Sequence, residues 1–95
     1  MLRQLWNPEE DLGGGVGSSP AAVSWGFNRI DIFYCGKTNR LWHKSWDGAQ
    51  WNPEEDLGGG PPAFGPAVAS WGQNRLDAFY ATAQGGILWH KWFPV

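Results

Sequence analysis

The sequence predicts an all-β chain that consists of two four-stranded β-propeller blades, and three observations support this fold class. The string WNPEEDLGGG occurs at residues 6–15 and again at residues 51–60. Two further motifs, SWG-x-NR-(I/L)-D-x-FY and LWHK, also recur at a spacing of about 46 residues. Short alternating strands between turns are typical of sheet, and no segment combines a helical period with helix caps. A four-stranded unit repeated every 40 to 50 residues or so is typical of propeller blades.

The first repeat predicts four strands in order. An apolar strand covers residues 21–25 and ends at Gly26. Residues 29–34 and 41–46 each alternate in a period of two, which predicts two faces per strand. In the first of these strands one face carries Ile30, Ile32 and Tyr34 and the other carries Arg29, Asp31 and Phe33. In the second, one face carries Trp42, Lys44 and Trp46 and the other carries Leu41, His43 and Ser45. After a turn at Asp47-Gly48, residues 51–57 predict an outer strand that Asn52-Pro53 keeps irregular.

The order of the repeats predicts assembly. We expect residues 1–95 to form one unit, with repeat one at 16–60, repeat two at 61–95, and an outer strand at 1–15 that is donated to a neighbour. Two blades do not close a ring, and their tryptophan-rich faces would be exposed. Head-to-tail pairing of copies solves both problems. We expect six blades from a trimer, with eight from a tetramer as the alternative.

Composition excludes several classes of function. Seven Lys and Arg against nine Asp and Glu give a formal charge of −2, which disfavours nucleic acid as a partner. No apolar run is long enough for a membrane span, and the first residues do not resemble a signal peptide. We therefore expect a soluble chain that is cytoplasmic when expressed, with release from the cell as the alternative. One cysteine allows no intrachain disulfide.

The repeated motifs resemble a known family. SWG-x-NR-(I/L)-D-x-FY, then LWHK, then W and LGGG, resemble the blade of the Photorhabdus-type fucose-binding β-propeller lectins. The resemblance covers almost the whole chain, twice. It implies sugar pockets between neighbouring blades, and fucose or a methylated sugar as the ligand. In the family that these motifs resemble, one chain forms a seven-bladed ring, whereas this chain carries two predicted blades.

A sugar pocket needs aromatic rings beside fixed polar groups, because a sugar offers C–H faces and hydroxyls. The eight tryptophans supply such rings, although propeller cores also use them for packing. We expect glycan-binding residues in both repeats, with each site shared between blades and no cofactor or metal. The candidates are Trp25, Asn28, Arg29, Trp42, Trp46, Trp71, Asn74, Arg75, Trp89 and Trp92.

Two other functions are alternatives to the lectin. Ser24, Asp31 and His43 have the composition of a catalytic triad, but no strained nucleophile turn is present, and the set recurs in both repeats. We expect Asp31 and His43 to form a hydrogen-bonded pair inside the blade, and we do not expect an enzyme. The near-identical repeats also fit a designed or reconstructed assembly module without a ligand. The acidic runs are expected to be charged edge strands and not calcium loops.

Overall fold

A computed structural model describes residues 6–37, 39–59, 65–82 and 85–94. These residues form two antiparallel sheets and no helix. The first sheet has the order β1-β2-β3-β4, and the second has the order β5-β6-β7. The strands are β1 Ala21–Val23, β2 Ile30–Cys35, β3 Leu41–Trp46, β4 Glu55–Gly58, β5 Ala67–Ala69, β6 Leu76–Ala81 and β7 Leu88–Phe93. The prediction of an all-β chain is therefore confirmed.

The predicted alternation of β2 and β3 is also confirmed. In their register, Asp31 lies opposite Ser45 and Phe33 lies opposite His43, so these side chains share one face. Ile32 lies opposite Lys44 on the other face. The same register recurs between β6 and β7 in the second sheet.

The two faces of each sheet carry different side chains. The histidine face carries Asp31, Phe33, Leu41 and His43 in the first sheet, and Asp77, Phe79, Leu88 and His90 in the second. The lysine face carries Ile30, Ile32, Lys44 and Trp46 in the first sheet, and Leu76, Ala78, Lys91 and Phe93 in the second.

Two strands are shorter than predicted. β1 ends at Val23, because Ser24 turns back and its hydroxyl donates a hydrogen bond to the carbonyl of Gly26 at 2.9 Å. β4 starts at Glu55 and not at Trp51, which forms only an isolated bridge with Trp46. Pro53 has no N–H to donate to a ladder, so regular pairing with β3 begins after it.

The core lies between the two sheets. Phe33 and Leu41, from the histidine face of the first sheet, cluster with Leu76, Ala78 and Tyr80 from the lysine face of the second. The strands β1 and β5 also contact each other. Burial of these apolar side chains from water is the main source of stability that the two sheets share.

The turns before β2 and β6 each contain an asparagine in a left-handed conformation. Asn28 and Asn74 have φ values of 60° and 63°, a left-handed conformation that asparagine tolerates better than most residues. The Asn28 amide also donates to the carbonyl of Gly48 at 3.3 Å, which ties this turn to the β3–β4 connection.

The expected donated strand at residues 1–15 is described in part. Residues 6–15 contain no strand within this single chain, and residues 1–5 lie outside the described residues. A helix able to cross a membrane is not found in any described segment.

Candidate functional site

A cleft of about 480 Å³ opens between the two sheets. The histidine face of the first sheet forms one wall, and the lysine face of the second forms the other. Its lining residues are Trp25, Arg29, Asp31, Phe33, His43, Glu55, Leu57, Asn74, Leu76, Ala78, Lys91, Trp92 and Phe93. Four of the predicted site residues, Trp25, Arg29, Asn74 and Trp92, therefore meet here.

Arg29 is held by two partners on the first wall. Its guanidinium carbon lies 4.4 Å from the centre of the Trp25 ring, which is the geometry of a cation–π contact. Its Nη2 lies 3.3 Å from the Oδ2 of Asp31, whose side chain is completely buried. A buried carboxylate needs such a partner, so Arg29 neutralises Asp31 and is itself fixed in direction.

Two N–H groups on this wall lack an acceptor. The Nε1 of Trp25 and the Nε of Arg29 are buried, and neither has a hydrogen-bond partner among the described residues. An unmet buried donor costs about 1–3 kcal/mol. In the second repeat, the equivalent Nε of Arg75 donates to Asp77 at 2.8 Å. The unmet Nε donor is therefore specific to the first repeat, and both donors on this wall offer hydrogen bonds to the oxygen atoms of a ligand.

His43 connects two carboxylates in the same wall. Its Nε2 lies 2.6 Å from the Oδ2 of Asp31, and its Nδ1 lies 2.8 Å from the Oε1 of Glu55. Its ring also packs on Phe33, with 4.7 Å between the centres. Burial lowers the pKa of His43, but the hydrogen bonds and negative charge of the two acids outweigh burial and raise the pKa above 6.5.

The expected hydrogen-bonded pair is confirmed in both repeats. The Nε2 of His90 lies 2.6 Å from the Oδ2 of Asp77, as His43 does from Asp31. Arg75 forms two hydrogen bonds to Asp77, and these bonds together with His90 lower the pKa of Asp77 to about 2. The repeated Asp–His pair therefore satisfies buried polar groups in each sheet.

The charges of the cleft are close to balanced. Arg29, Lys91 and the protonated form of His43 contribute positive charge, and Asp31 and Glu55 contribute negative charge. The second wall is largely apolar, with Leu76 and Ala78 both buried. An anion would meet two carboxylates and a cation would meet two basic side chains. This arrangement suits an uncharged ligand with both hydroxyls and an apolar surface.

The predicted residues of the second repeat do not line the cleft, except Asn74 and Trp92. The Arg75 guanidinium lies 4.9 Å from the centre of the Trp71 ring, which repeats the Arg29–Trp25 contact. Trp71 is 78% exposed, because neither of the two described sheets covers this face. Trp89 is also exposed, and it lies opposite Tyr80 in the register.

Three predicted residues lie on the lysine face of the first sheet or at its edge. The Nε1 of Trp46 donates to the Oδ1 of Asn28 at 3.4 Å, and its ring lies 5.7 Å from that of Trp51. Trp42 lines a separate hollow of about 150 Å³ beside Tyr34 and Glu54. These residues are not brought together with Trp25 in one chain.

The sequence prediction missed several cleft residues. His43 and Glu55 were interpreted only as blade-internal and outer-edge residues, and the apolar positions across the cleft were not named. The alternation of β2 and β3 could have revealed His43, because paired strands put it on the same face as Asp31, the partner of Arg29. The missed lining residues are Phe33, His43, Glu55, Leu57, Leu76, Ala78, Lys91 and Phe93, with Asp31 assigned only a structural role.

The triad geometry is not present at Ser24. Its hydroxyl donates to Gly26, while both ring nitrogens of His43 contact carboxylates. Among the described residues, no group of three or more His, Cys, Asp and Glu side chains could hold a metal ion.

Comparison of the sequence with protein-family models gives no match, and neither does comparison with curated proteins. The resemblance to the Photorhabdus-type lectins therefore rests on the repeated motifs alone.

Proposed function

We propose that the chain is a carbohydrate-binding lectin and that the cleft between the sheets holds a neutral monosaccharide. The observation that carries the proposal is the pair of buried N–H groups on Trp25 and Arg29 that lack an acceptor. Sugar hydroxyls would accept from both donors, while an indole face supports the C–H surface of the ring. The cleft also falls within the range of about 300–1,000 Å³ that is usual for small-molecule sites.

Fucose, or a methylated monosaccharide, is the proposed ligand. The family resemblance suggests this sugar, and the apolar wall gives it a physical basis. A methyl group placed against Leu76 and Ala78 would remain out of water, and burying one such group is worth about 0.8 kcal/mol. A sugar with a hydroxymethyl group in its place would bury a hydroxyl without a partner.

The proposed activity is binding without turnover. Asp31 and Glu55 both line the cleft, but they lie on the same wall, where both contact the His43 ring, and Asp77 lies in the other sheet. Glycosidases need two carboxylates set across one sugar, one of which acts as an acid. An assay with an aryl fucoside tests this part of the proposal, and measurable release of the aryl group would contradict it.

Copies of the chain are proposed to close a ring, with six blades from three copies. Each copy then brings at least one sugar site, and linked weak sites raise avidity without new contacts. Native mass spectrometry distinguishes three copies from the alternative of four. A closed ring that binds no sugar would instead support an assembly module without a ligand.

Calorimetric titration with L-fucose, an O-methylated fucose and galactose tests the ligand directly. We expect saturation by the first two sugars and much weaker binding of galactose. The Arg29→Ala variant should lose binding at the cleft, because it removes one donor and the partner that orients Trp25. No heat change at millimolar sugar with the unmodified chain would contradict the proposal.

A further inference from the structure

Both ring nitrogens of His43 face carboxylate oxygens. The Nε2 lies 2.6 Å from the Oδ2 of Asp31, and the Nδ1 lies 2.8 Å from the Oε1 of Glu55. A neutral imidazole carries one N–H and one lone pair, whereas the charged ring carries two N–H groups. Only the charged ring donates to both acids, because the neutral ring turns its lone pair toward one of them. This part of the cleft wall therefore depends on one proton.

The two acids are held with different strength. The side chain of Asp31 is 0% exposed, and it has a second partner in Arg29 at 3.3 Å. The side chain of Glu55 is 62% exposed, and Glu55 is the first residue of the short edge strand β4. A buried carboxylate needs its partners, while an exposed one can turn to water. When His43 loses its second proton, the remaining N–H therefore stays with Asp31 and the contact with Glu55 opens.

The second repeat provides an internal comparison. The Nε2 of His90 lies 2.6 Å from Asp77, and the ring stacks on Trp92 with 4.9 Å between the centres. No carboxylate among the described residues contacts the Nδ1 of His90. A ring with one N–H is enough for one acid. Within the described part of the chain, the contact that depends on a second proton belongs to the histidine that lines the cleft.

Glu55 offers the cleft an acceptor beside its two unmet donors. It is the exposed one of the two acids in the lining, and its Oε2 has no hydrogen bond among the described residues. The buried N–H groups of Trp25 and Arg29 supply only donors. A sugar hydroxyl both donates and accepts, so it needs a partner of each kind. A hydrogen bond to an ionised carboxylate is also stronger than one between neutral groups.

We propose that Glu55 binds the ligand by accepting a hydrogen bond from a sugar hydroxyl, and that His43 is the positioning residue that holds Glu55 in place only while its ring is charged. This rests on the proposed function of the cleft. A carboxylate that is already held adds its contact without a further ordering cost, whereas a released one must first be immobilised. Fucose affinity should therefore fall by about two- to twelvefold as the pH rises and His43 loses its second proton.

The charged groups around His43 come from four elements. Asp31 on β2 and Glu55 on β4 contact the ring and favour its charge. Arg29, before β2, lies on the far side of Asp31, and Lys91 on β7 lines the opposite wall, and both oppose that charge. Burial lowers the pKa of His43, but the two acids more than offset it and raise the pKa above 6.5. The change in affinity is thus expected above pH 6.5.

Calorimetric titration of the full 95-residue chain with L-fucose, from about pH 5 to about pH 9, tests the proposal. The affinity should be highest at the acidic end, and its midpoint should follow the titration of His43 in proton NMR of the same samples. Since the charged ring favours binding, fucose should also drive proton uptake near this midpoint. Titrations in two buffers with different ionisation heats measure that uptake, which a merely structural role of His43 would not produce.

Glu55→Gln is the decisive variant. An amide presents an oxygen or an N–H, so it can pair with the Nδ1 of His43 in either protonation state. The variant should retain fucose binding, lose most of the pH dependence and take up no protons. Glu54→Gln makes the same change one residue earlier, where the carboxylate accepts from Tyr34 outside the cleft, and it should behave as the unmodified chain.

The outcomes separate this inference from the proposed function. Fucose binding with the same affinity across the titration of His43 overturns the inference and leaves the lectin intact. A pH dependence that Glu55→Gln retains in full also overturns it, because the dependence would then not pass through Glu55. Absence of fucose binding at every pH contradicts the lectin itself.

Discussion

The guanidinium of Arg29 lies over the indole ring of Trp25, 4.4 Å from the ring centre, and each of the two groups holds a buried N–H that has no acceptor among the described residues. The contact fixes the planes of both groups, so their donors point in set directions before any ligand binds. Pre-set donors lower the ordering cost of binding, which matters for a small ligand with few contacts.

Replacing Trp25 by Phe should weaken fucose binding at the cleft by roughly two- to twelvefold. The change keeps an aromatic face but removes the indole donor, and a net hydrogen bond is worth about 0.5–1.5 kcal/mol. Calorimetric titration measures the loss. Trp51→Phe is the control, because its N–H donates to Glu10 away from the cleft. Equal losses in the two variants would contradict the role of the Trp25 donor.

Leu41→Ala should lower the free energy of unfolding by about 2–5 kcal/mol, the usual cost of a cavity at a buried leucine. Leu88→Ala makes the same change at an exposed position and should cost no more than about 0.5 kcal/mol in dilute monomer. Chemical denaturation of both variants compares them. Equal destabilisation of the monomer by Leu88→Ala would contradict the exposure of the histidine face of the second sheet.

The stability contributed by protonated His43 should depend on pH. Because its folded-state pKa is raised above 6.5, this stabilisation is complete below pH 6.5 and is lost as the pH rises through the raised value. Proton NMR of the ring should give the raised pKa directly. Thermal melts on either side of that value should show a lower melting temperature at the higher pH, and His43→Asn should reduce this difference.

Glu55→Gln isolates one cause of the His43 shift. The substitution keeps an oxygen for the Nδ1 contact, now 2.8 Å from Glu55, but removes the negative charge. The pKa of His43 should therefore fall relative to the unmodified chain while remaining supported by Asp31. An unchanged value would mean that Glu55 does not hold the proton on His43.

Asp77 should titrate near pH 2 because Arg75, first, and then His90 stabilise its charged form. Since this pKa lies below its usual value of 3.8, the associated stability is present above pH 3.8 and is lost as the pH falls through about 2. Arg75→Ala should raise the pKa of Asp77 toward 3.8, as measured by carbon NMR of the carboxyl group. A pKa that stays near 2 in the variant would assign the shift to His90 instead.

The period-two pattern was enough to predict the faces of β2 and β3, because a strand alternates whatever its neighbours are. It was also enough to pair Asp31 with His43, since both fall on one face of adjacent strands. The start of β4 was not predicted correctly, because a single strand pattern does not show where Pro53 interrupts the ladder.

The composition of the cleft was predicted only in part. Trp25 and Arg29 were found because they are close in the chain and chemically suited to a sugar. Leu76, Ala78 and Lys91 lie on the other sheet, and their position depends on which face meets which. Which faces meet depends on packing between segments that are distant in the sequence, and the alternation within one strand does not predict it.

Because the histidine face of one sheet packs on the lysine face of the other, the two ends of each chain present different surfaces. Every added copy would present the same free surface as the one before it, so one junction angle would be repeated without change. If a whole number of copies at that angle makes a full turn, they close into a ring. Otherwise they form an open helical filament. Enlarging Ala78, which lies buried between the two sheets, would change their tilt and with it the angle that each copy adds to the ring.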